Sequence, residues 1–118
     1  MTSSITVQPH QLPATIRSFL AAHHIRDIDA AARAFSSDAV VVDEGRTYRG
    51  SVEIGEFLGK AGAQYSYTTE LIGAQRLDED RWVATNRFEG DFPGDVVGLD
   101  YSFTLVGELV TELVIAPR

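Results

Sequence analysis

Apolar residues recur every third or fourth position through the first half of this chain and every second position through the last third. That division of periodicities constrains the fold more than any other feature. Ile16, Phe19, Leu20 and His23 mark one face of a helix that Pro13 suits at its first turn and that runs to about Ile25. Asp27 is a good N-cap for a second helix, with Ile28, Ala31, Ala32 and Phe35 as its buried stripe. A short strand, Ala39 to Asp43, follows, bounded by Ser36, Ser37 and Asp38. After a turn from Glu44 to Thr47, Gly50 and Ser51 open a third helix, with Ser51 as its cap and Ile54, Phe57 and Leu58 facing inward, ending near Gly62.

Alternation then takes over. Gln64 to Leu77 reads as a strand carrying Tyr65, Tyr67, Thr68, Thr69 and Ile72, and Asp78, Glu79 and Asp80 form the turn after it. From Arg81 to Phe88, the residues Trp82, Ala84, Asn86 and Phe88 share one face, and Arg81, Val83, Thr85 and Arg87 the other. The run Phe92-Pro93-Gly94-Asp95 is a turn signal. The next strand alternates Leu99, Tyr101, Phe103 and Leu105 against Gly98, Asp100, Ser102 and Thr104, and a turn near Gly107 leads into Leu109 to Ile115. Helices grouped ahead of hairpins imply an α+β domain, not alternating parallel units. The expected architecture is three N-terminal helices packed in the concave face of a strongly curved, mostly antiparallel sheet, a cone-like α+β barrel. Residues 12–118 are expected as one domain and residues 1–11 as a mobile polar arm. A pocket is expected where side chains leave the cone unfilled.

Composition removes several classes of function. A length of 118 residues, 44% apolar and 23% charged, suits one globular core. The net charge of -7 argues against nucleic acid and against an anionic membrane surface as partners, since both need a basic footprint. Cysteine is absent, which excludes disulfides, thiolate nucleophiles and Cys-based zinc sites and suits a reducing cytoplasm. No apolar run approaches the roughly 20 residues that span a bilayer, and the first residues lack the pattern of a secretory signal. His23 and His24 would be splayed about 100° apart on a helix, and no carboxylate stands at a ligand spacing with either. No metal is therefore expected. Without a glycine-rich phosphate loop or a nucleophile elbow, no cofactor is expected either.

Asp43 stands out because it ends an apolar strand just before a tight turn. Such a carboxylate reads equally as a proton-transfer group at the rim of a cavity and as ordinary turn chemistry. His23, four residues beyond Phe19, shares that helix face and can look into the same cavity. It reads as an acid/base partner of Asp43 or as a core-edge histidine bonded to a backbone carbonyl. His24 should face away.

The series Asp27-Ile28-Asp29-Ala30-Ala31 leading to Phe35-Ser-Ser-Asp-Ala-Val-Val-Val-Asp43, then Tyr48-Arg49-Gly50 with Ile54, then Phe103 four residues before Gly107, carries a resemblance. From Leu12 to Ile115 the chain resembles the nuclear transport factor 2-like superfamily, in particular its SnoaL-like and ketosteroid-isomerase-like branch. That branch includes isomerases, cyclases, dehydratases and epoxide hydrolases, and also proteins that only bind or dimerise, so fold alone does not assign a reaction. The resemblance implies that Asp43 occupies the general-base position. It places the oxyanion-stabilising tyrosine at Phe19 and a protonated acid partner at Leu99, with Asp100 one place away and on the opposite strand face. Neither Phe19 nor Leu99 can donate. One such donor is typically worth about 3 kcal/mol, so steroid isomerisation is not expected.

Phe19, Tyr48, Phe57, Trp82, Asn86, Leu99 and Tyr101 are candidates to line a site for a small hydrophobic or cyclic organic ligand, Asn86 supplying an orienting hydrogen bond. Aromatic residues at strand spacing more often belong to a core or an interface than to a ligand site. On the outer face, Val83, Thr85, Ser102, Thr104, Val110 and Val114 form a weakly charged surface interrupted by Arg81, Arg87 and Glu112. That surface suits a C2 homodimer, which the resemblance also implies. Two readings of function follow. One is a cofactor-free isomerase, cyclase or dehydratase that uses Asp43; the other is a non-catalytic ligand-binding or dimerisation domain.

Overall fold

The computed structural model describes residues 5–60, 67–90 and 96–117. Within them the chain runs β1 (Ile5–Thr6), α1 (Ala14–His24), α2 (Ile28–Ala32), β2 (Phe35–Asp43), β3 (Arg46–Arg49), α3 (Gly50–Lys60), β4 (Tyr67–Arg76), β5 (Arg81–Gly90), β6 (Val96–Val106) and β7 (Leu109–Pro117). The strands form one sheet in the order β1-β4-β5-β6-β7-β2-β3. Its pairs are antiparallel except β2 with β7, which run parallel. The sheet curls without closing, and the helices pack into its concave side, as an α+β cone requires. Tyr65, Gly62 and the Phe92–Asp95 turn lie outside the described residues. In the stretch expected as an arm, Ile5 and Thr6 pair with Arg76 and Gln75, and the Val7 N–H donates to the Ala74 carbonyl at 3.0 Å.

Helix α1 buries Ile16 and Phe19 of the stripe its spacing predicts, together with Ala22, while Leu20 and His23 are half-buried. It stops without a glycine. Arg26 takes a left-handed φ of 61°, the Asp27 N–H reaches the Ala22 carbonyl at 2.8 Å and the Arg26 N–H reaches the His23 carbonyl at 3.2 Å. That pairing satisfies the last carbonyls of the helix. Asp27 then caps α2, its Oδ1 accepting from the Ala30 N–H at 3.1 Å. Two helices are thus joined with no spare residues, and the polar Arg-Asp pair does the work of a longer loop.

Several boundaries differ from expectation. Helix α2 ends at Ala32, so Phe35 belongs to β2 and not to the helical stripe. Ser36 to Asp38 do not bound the strand; they sit in a register shift between the Phe35–Val110 and Val40–Glu112 pairs. The turn after Asp43 is shorter than Glu44 to Thr47. Glu44 and Gly45 both take positive φ, 52° and 77°, giving the two-residue hairpin turn whose twist matches its strands, and Arg46 already pairs with Asp43. Ser51 lies inside α3, whose entry is tied instead by Glu53 Oε1 accepting from the Arg49 N–H at 2.9 Å.

Strand faces follow the alternation, with one correction. Val110 was expected on the outer face, yet it is 0% exposed. Thr104 pairs with Glu112 while Leu105 pairs with Val110, so Thr111 is an extra residue in β7. One extra residue shifts the alternation, which turns Val110 inward along with Leu113 and Ile115. A second irregularity between Leu71 and Gly73 does the same in β4, leaving Ile72 exposed.

The core is aromatic at its centre. Phe19 meets Phe35 edge-on at 5.4 Å and Phe103 edge-on at 5.7 Å, and Tyr101 lies 6.4 Å from Phe103. Phe103 is 1% exposed. Replacing it, Phe103→Ala, is expected to cost about 3–5 kcal/mol of stability, read from the urea midpoint at unchanged slope.

Candidate functional site

The concave face is built from rows of side chains that cross the sheet. Asp43 pairs with Ile115, Ile115 with Tyr101, and Tyr101 with Ala84. Directly paired residues point to the same side of a sheet, and Ile115, Tyr101 and Ala84 are all buried. Asp43 therefore points into the cone. It stands two strand spacings from Tyr101, roughly 10 Å between backbones. The next concave row holds Asn86 opposite Leu99 and beside Leu71.

A small enclosed cavity, about 20 Å³, opens between the C-terminal end of α1 and this sheet face. Leu20, His23 and His24 line it from the helix, and Thr69, Asn86, Phe88 and Tyr101 from the strands. That volume admits one water molecule. A larger cleft of about 470 Å³ lies at the other end of α1, among Pro13, Ser18, Arg33, Leu105 and Glu108. None of the residues singled out from the sequence lines it. The small cavity is where the sequence-derived residues converge, so it is the candidate site despite its size.

Three predicted residues meet there: His23, Asn86 and Tyr101. Phe19 lies behind them, its ring stacked on His23 at 5.5 Å and 11°. Leu99 is half-buried against the core, across the strand from Asn86. The other four are elsewhere. Tyr48 pairs with Val41 and tilts against Phe57 of α3 at 5.0 Å, forming a separate contact beneath that helix. Trp82 pairs with Phe103, one row beyond Tyr101 and two beyond Asn86, with the Arg76 guanidinium 5.0 Å from its ring. Asp43 shares the concave face but is not among the lining residues, and no hydrogen bond joins it to His23.

Spacing had not singled out Leu20, His24, Thr69 or Phe88 for the site. Phe88 was readable as a face-mate of Asn86. Leu20 and His24 form an i,i+4 ridge along the rim; His24 is exposed overall yet still contributes to the lining. Thr69 was hidden by the irregularity at Ile72, which breaks a regular count along β4.

The polar groups here are desolvated. Asn86 is 4% exposed, and its Nδ2 has no hydrogen-bond partner among the described residues. A buried donor left unmet costs about 1–3 kcal/mol. Burial lowers the pKa of His23 below 6.5, with the nearby Arg26 and His24 charges acting in the same direction. Burial raises the pKa of Asp43 above 3.8, the Glu44 charge adds to the rise, and a hydrogen bond from the Glu44 backbone opposes it. Each shift favours the uncharged form. Among the described residues no group of three or more metal-ligating side chains occurs, and no helix is long and apolar enough to cross a membrane.

A lowered histidine pKa has a definite sign in stability. Below about pH 6.5 the unfolded chain takes up a proton that folded His23 resists, so stability falls as pH drops through that value and towards the folded pKa. His23→Phe removes this contribution. Its thermal midpoint should fall less steeply than that of the unaltered protein from about pH 7 to about pH 5, in melts followed by circular dichroism.

No protein-family model matches the sequence, and no curated protein sequence does either. Solved structures do. A candidate polyketide cyclase from Sinorhizobium meliloti is 33% identical, with a TM-score of 0.84 over 93% of this chain and 100% of that one. A protein with a ketosteroid isomerase-like fold from Catenulispora acidiphila, solved in complex with trimethylamine, is 20% identical, with a TM-score of 0.75 over 88% of this chain and 85% of that one. TerC, co-crystallised with polyporic acid, is 18% identical, with a TM-score of 0.74 over 88% of each chain. The last two share the fold.

Proposed function

The chain belongs to the nuclear transport factor 2-like superfamily, in its SnoaL-like and ketosteroid-isomerase-like branch, and we propose that it acts on a small cyclic or polyketide-like organic molecule without a cofactor. The reaction is a proton transfer by Asp43, as in an isomerase, a cyclase or a dehydratase. The observation that carries this reading is a half-buried carboxylate on the concave face whose proton affinity burial has raised. A base of that kind binds a substrate proton more strongly than an ordinary surface aspartate. His23, uncharged in its buried place, keeps one N–H to donate. Steroid isomerisation itself is not proposed, because Phe19 and Leu99 cannot supply the donors that reaction uses.

The 33% identical relative is described as a candidate polyketide cyclase, and the TerC structure contains polyporic acid, a cyclic compound. Both support an organic ligand of that kind here. In its present form the cavity has room only for water, so binding requires the rim to move, with Leu20 and His24 the partly exposed side chains best placed to do so. A second reading, a binding or dimerisation domain without catalysis, draws on the same small volume. The absence of cysteine suits the cytoplasm.

Proton transfer can be tested before the substrate is known. Exchange of the α-protons of cyclic ketones in heavy water, followed by proton NMR, should be faster with the protein than with buffer and should rise with pH through the Asp43 titration. Asp43→Asn should fold normally and lose about 100-fold or more of that exchange. Unchanged exchange in the variant removes Asp43 as the base.

The same proposal includes a homodimer through the convex face. Val83, Ser102, Thr104 and Val114 are uncharged and half-buried there, and the Asp100 carboxylate accepts from the Thr85 hydroxyl at 2.6 Å, which holds it against the sheet. Such a surface suits an isologous contact. Sedimentation velocity should show a dimer for the unaltered protein and a monomer for Ser102→Arg, which places a cation against its own copy across the two-fold axis.

A further inference from the structure

Asn86 is the residue whose presence the fold does not explain. It stands on β5 between Ala84 and Phe88 in the concave face, where an apolar side chain of similar volume would pack without leaving a donor unmet. Its amide lines the cavity with His23 and Tyr101, and its Nδ2 has no partner among the described residues. A cavity of about 20 Å³ has room for one water-sized group, and an oxygen atom placed there could accept from the amide.

The position has a second significance. Asn86 pairs directly with Leu99 across β5 and β6, and Leu99 is where the resemblance places an acid that donates to substrate oxygen. Side chains paired across strands project to the same side with Cβ atoms about 5 Å apart. The amide therefore reaches nearly the same space from the neighbouring strand. The lining residues include no lysine or arginine. A carboxylate ligand would lose its hydration there with only the Arg26 and His24 charges near His23 to offset the loss, whereas a neutral carbonyl loses far less.

We infer that Asn86 donates its side-chain N–H to the carbonyl oxygen of the ligand, and that the site selects neutral ketones and enones over hydrocarbons and carboxylates. In the reaction proposed above, a proton leaves a carbon conjugated with the carbonyl for Asp43, the C–H electron pair enters the conjugated enolate, and the charge gathers on the oxygen that Asn86 holds. Asn86 thus stabilises the charge that Asp43 creates, from a strand on which the family resemblance places no donor. The inference rests on the small-molecule reading of the cavity, but its test does not depend on turnover.

Cyclohex-2-enone and cyclohexene serve as a matched pair of probes, titrated into ¹⁵N-labelled protein. The expected result is a saturable shift of the Asn86 side-chain NH₂ signals with cyclohexenone and none with cyclohexene. Asn86→Leu should raise the thermal midpoint, because it removes the unmet donor, and should weaken cyclohexenone binding at least tenfold while leaving cyclohexene unchanged. Cyclohexenone binding that survives Asn86→Leu, or a bound state in which the Asn86 signals do not move, overturns the donor role and leaves the small-molecule reading standing. Failure of both probes to bind the unaltered protein overturns the two together. If Asn86→Leu does not fold, Asn86 is structural and the inference fails unless the amide shift is seen in the unaltered protein.

Discussion

Phe19 is the contact on which the rest of the structure depends. Its ring meets Phe35 of β2, Phe103 of β6 and His23 of its own helix, so a single side chain seats the helical layer against strands that are distant in sequence. Full burial of such a ring is worth about 1.5–3 kcal/mol, and each aromatic pair adds about 0.5–1.5 kcal/mol. The same ring fills the middle of the cone. Stability and ligand volume therefore compete at one position, and the small cavity is the result. A tyrosine there would bring a hydroxyl that needs a partner; phenylalanine needs none.

Around that apolar centre the polar groups behave consistently. Asp43 is shifted up and His23 down, each towards its uncharged form, and the Asn86 amide is neutral to begin with. Burial is the largest cause of both shifts, with the Arg26 and His24 charges adding to that of His23 and the Glu44 charge to that of Asp43. The net charge of -7 is carried mainly on exposed residues elsewhere. A chain this acidic thus presents a site of low charge, which is the electrostatic condition under which a neutral organic molecule binds with the least loss of hydration.

Much of the fold was legible because burial follows period. Ile16, Phe19 and Ala22 lie three residues apart on α1, and Tyr101, Phe103 and Leu105 alternate on β6, so both faces could be read directly. The failures cluster where a strand gains a residue. Thr111 turns Val110 inward and Ile72 conceals Thr69, and neither residue type announces an irregularity. The candidate site was legible to the same degree. Spacing identified the face shared by Phe19 and His23 and the face shared by Trp82 and Asn86, yet it could not tell that Trp82 lies outside the cavity while Phe88 lines it.

The sequence by itself determined the class of fold, the inward faces of its main elements and the absence of thiol chemistry, because these depend on local periodicity and on residue identity. Only the tertiary structure decided which strands stand side by side. Pairing β2 with β7 brings Asp43 to the concave face beside Ile115, and pairing β5 with β6 sets Asn86 against Leu99. The parallel contact joins segments about seventy residues apart in the chain. Register over such distances is set by the packing of the whole sheet against its helices, and no local pattern encodes it.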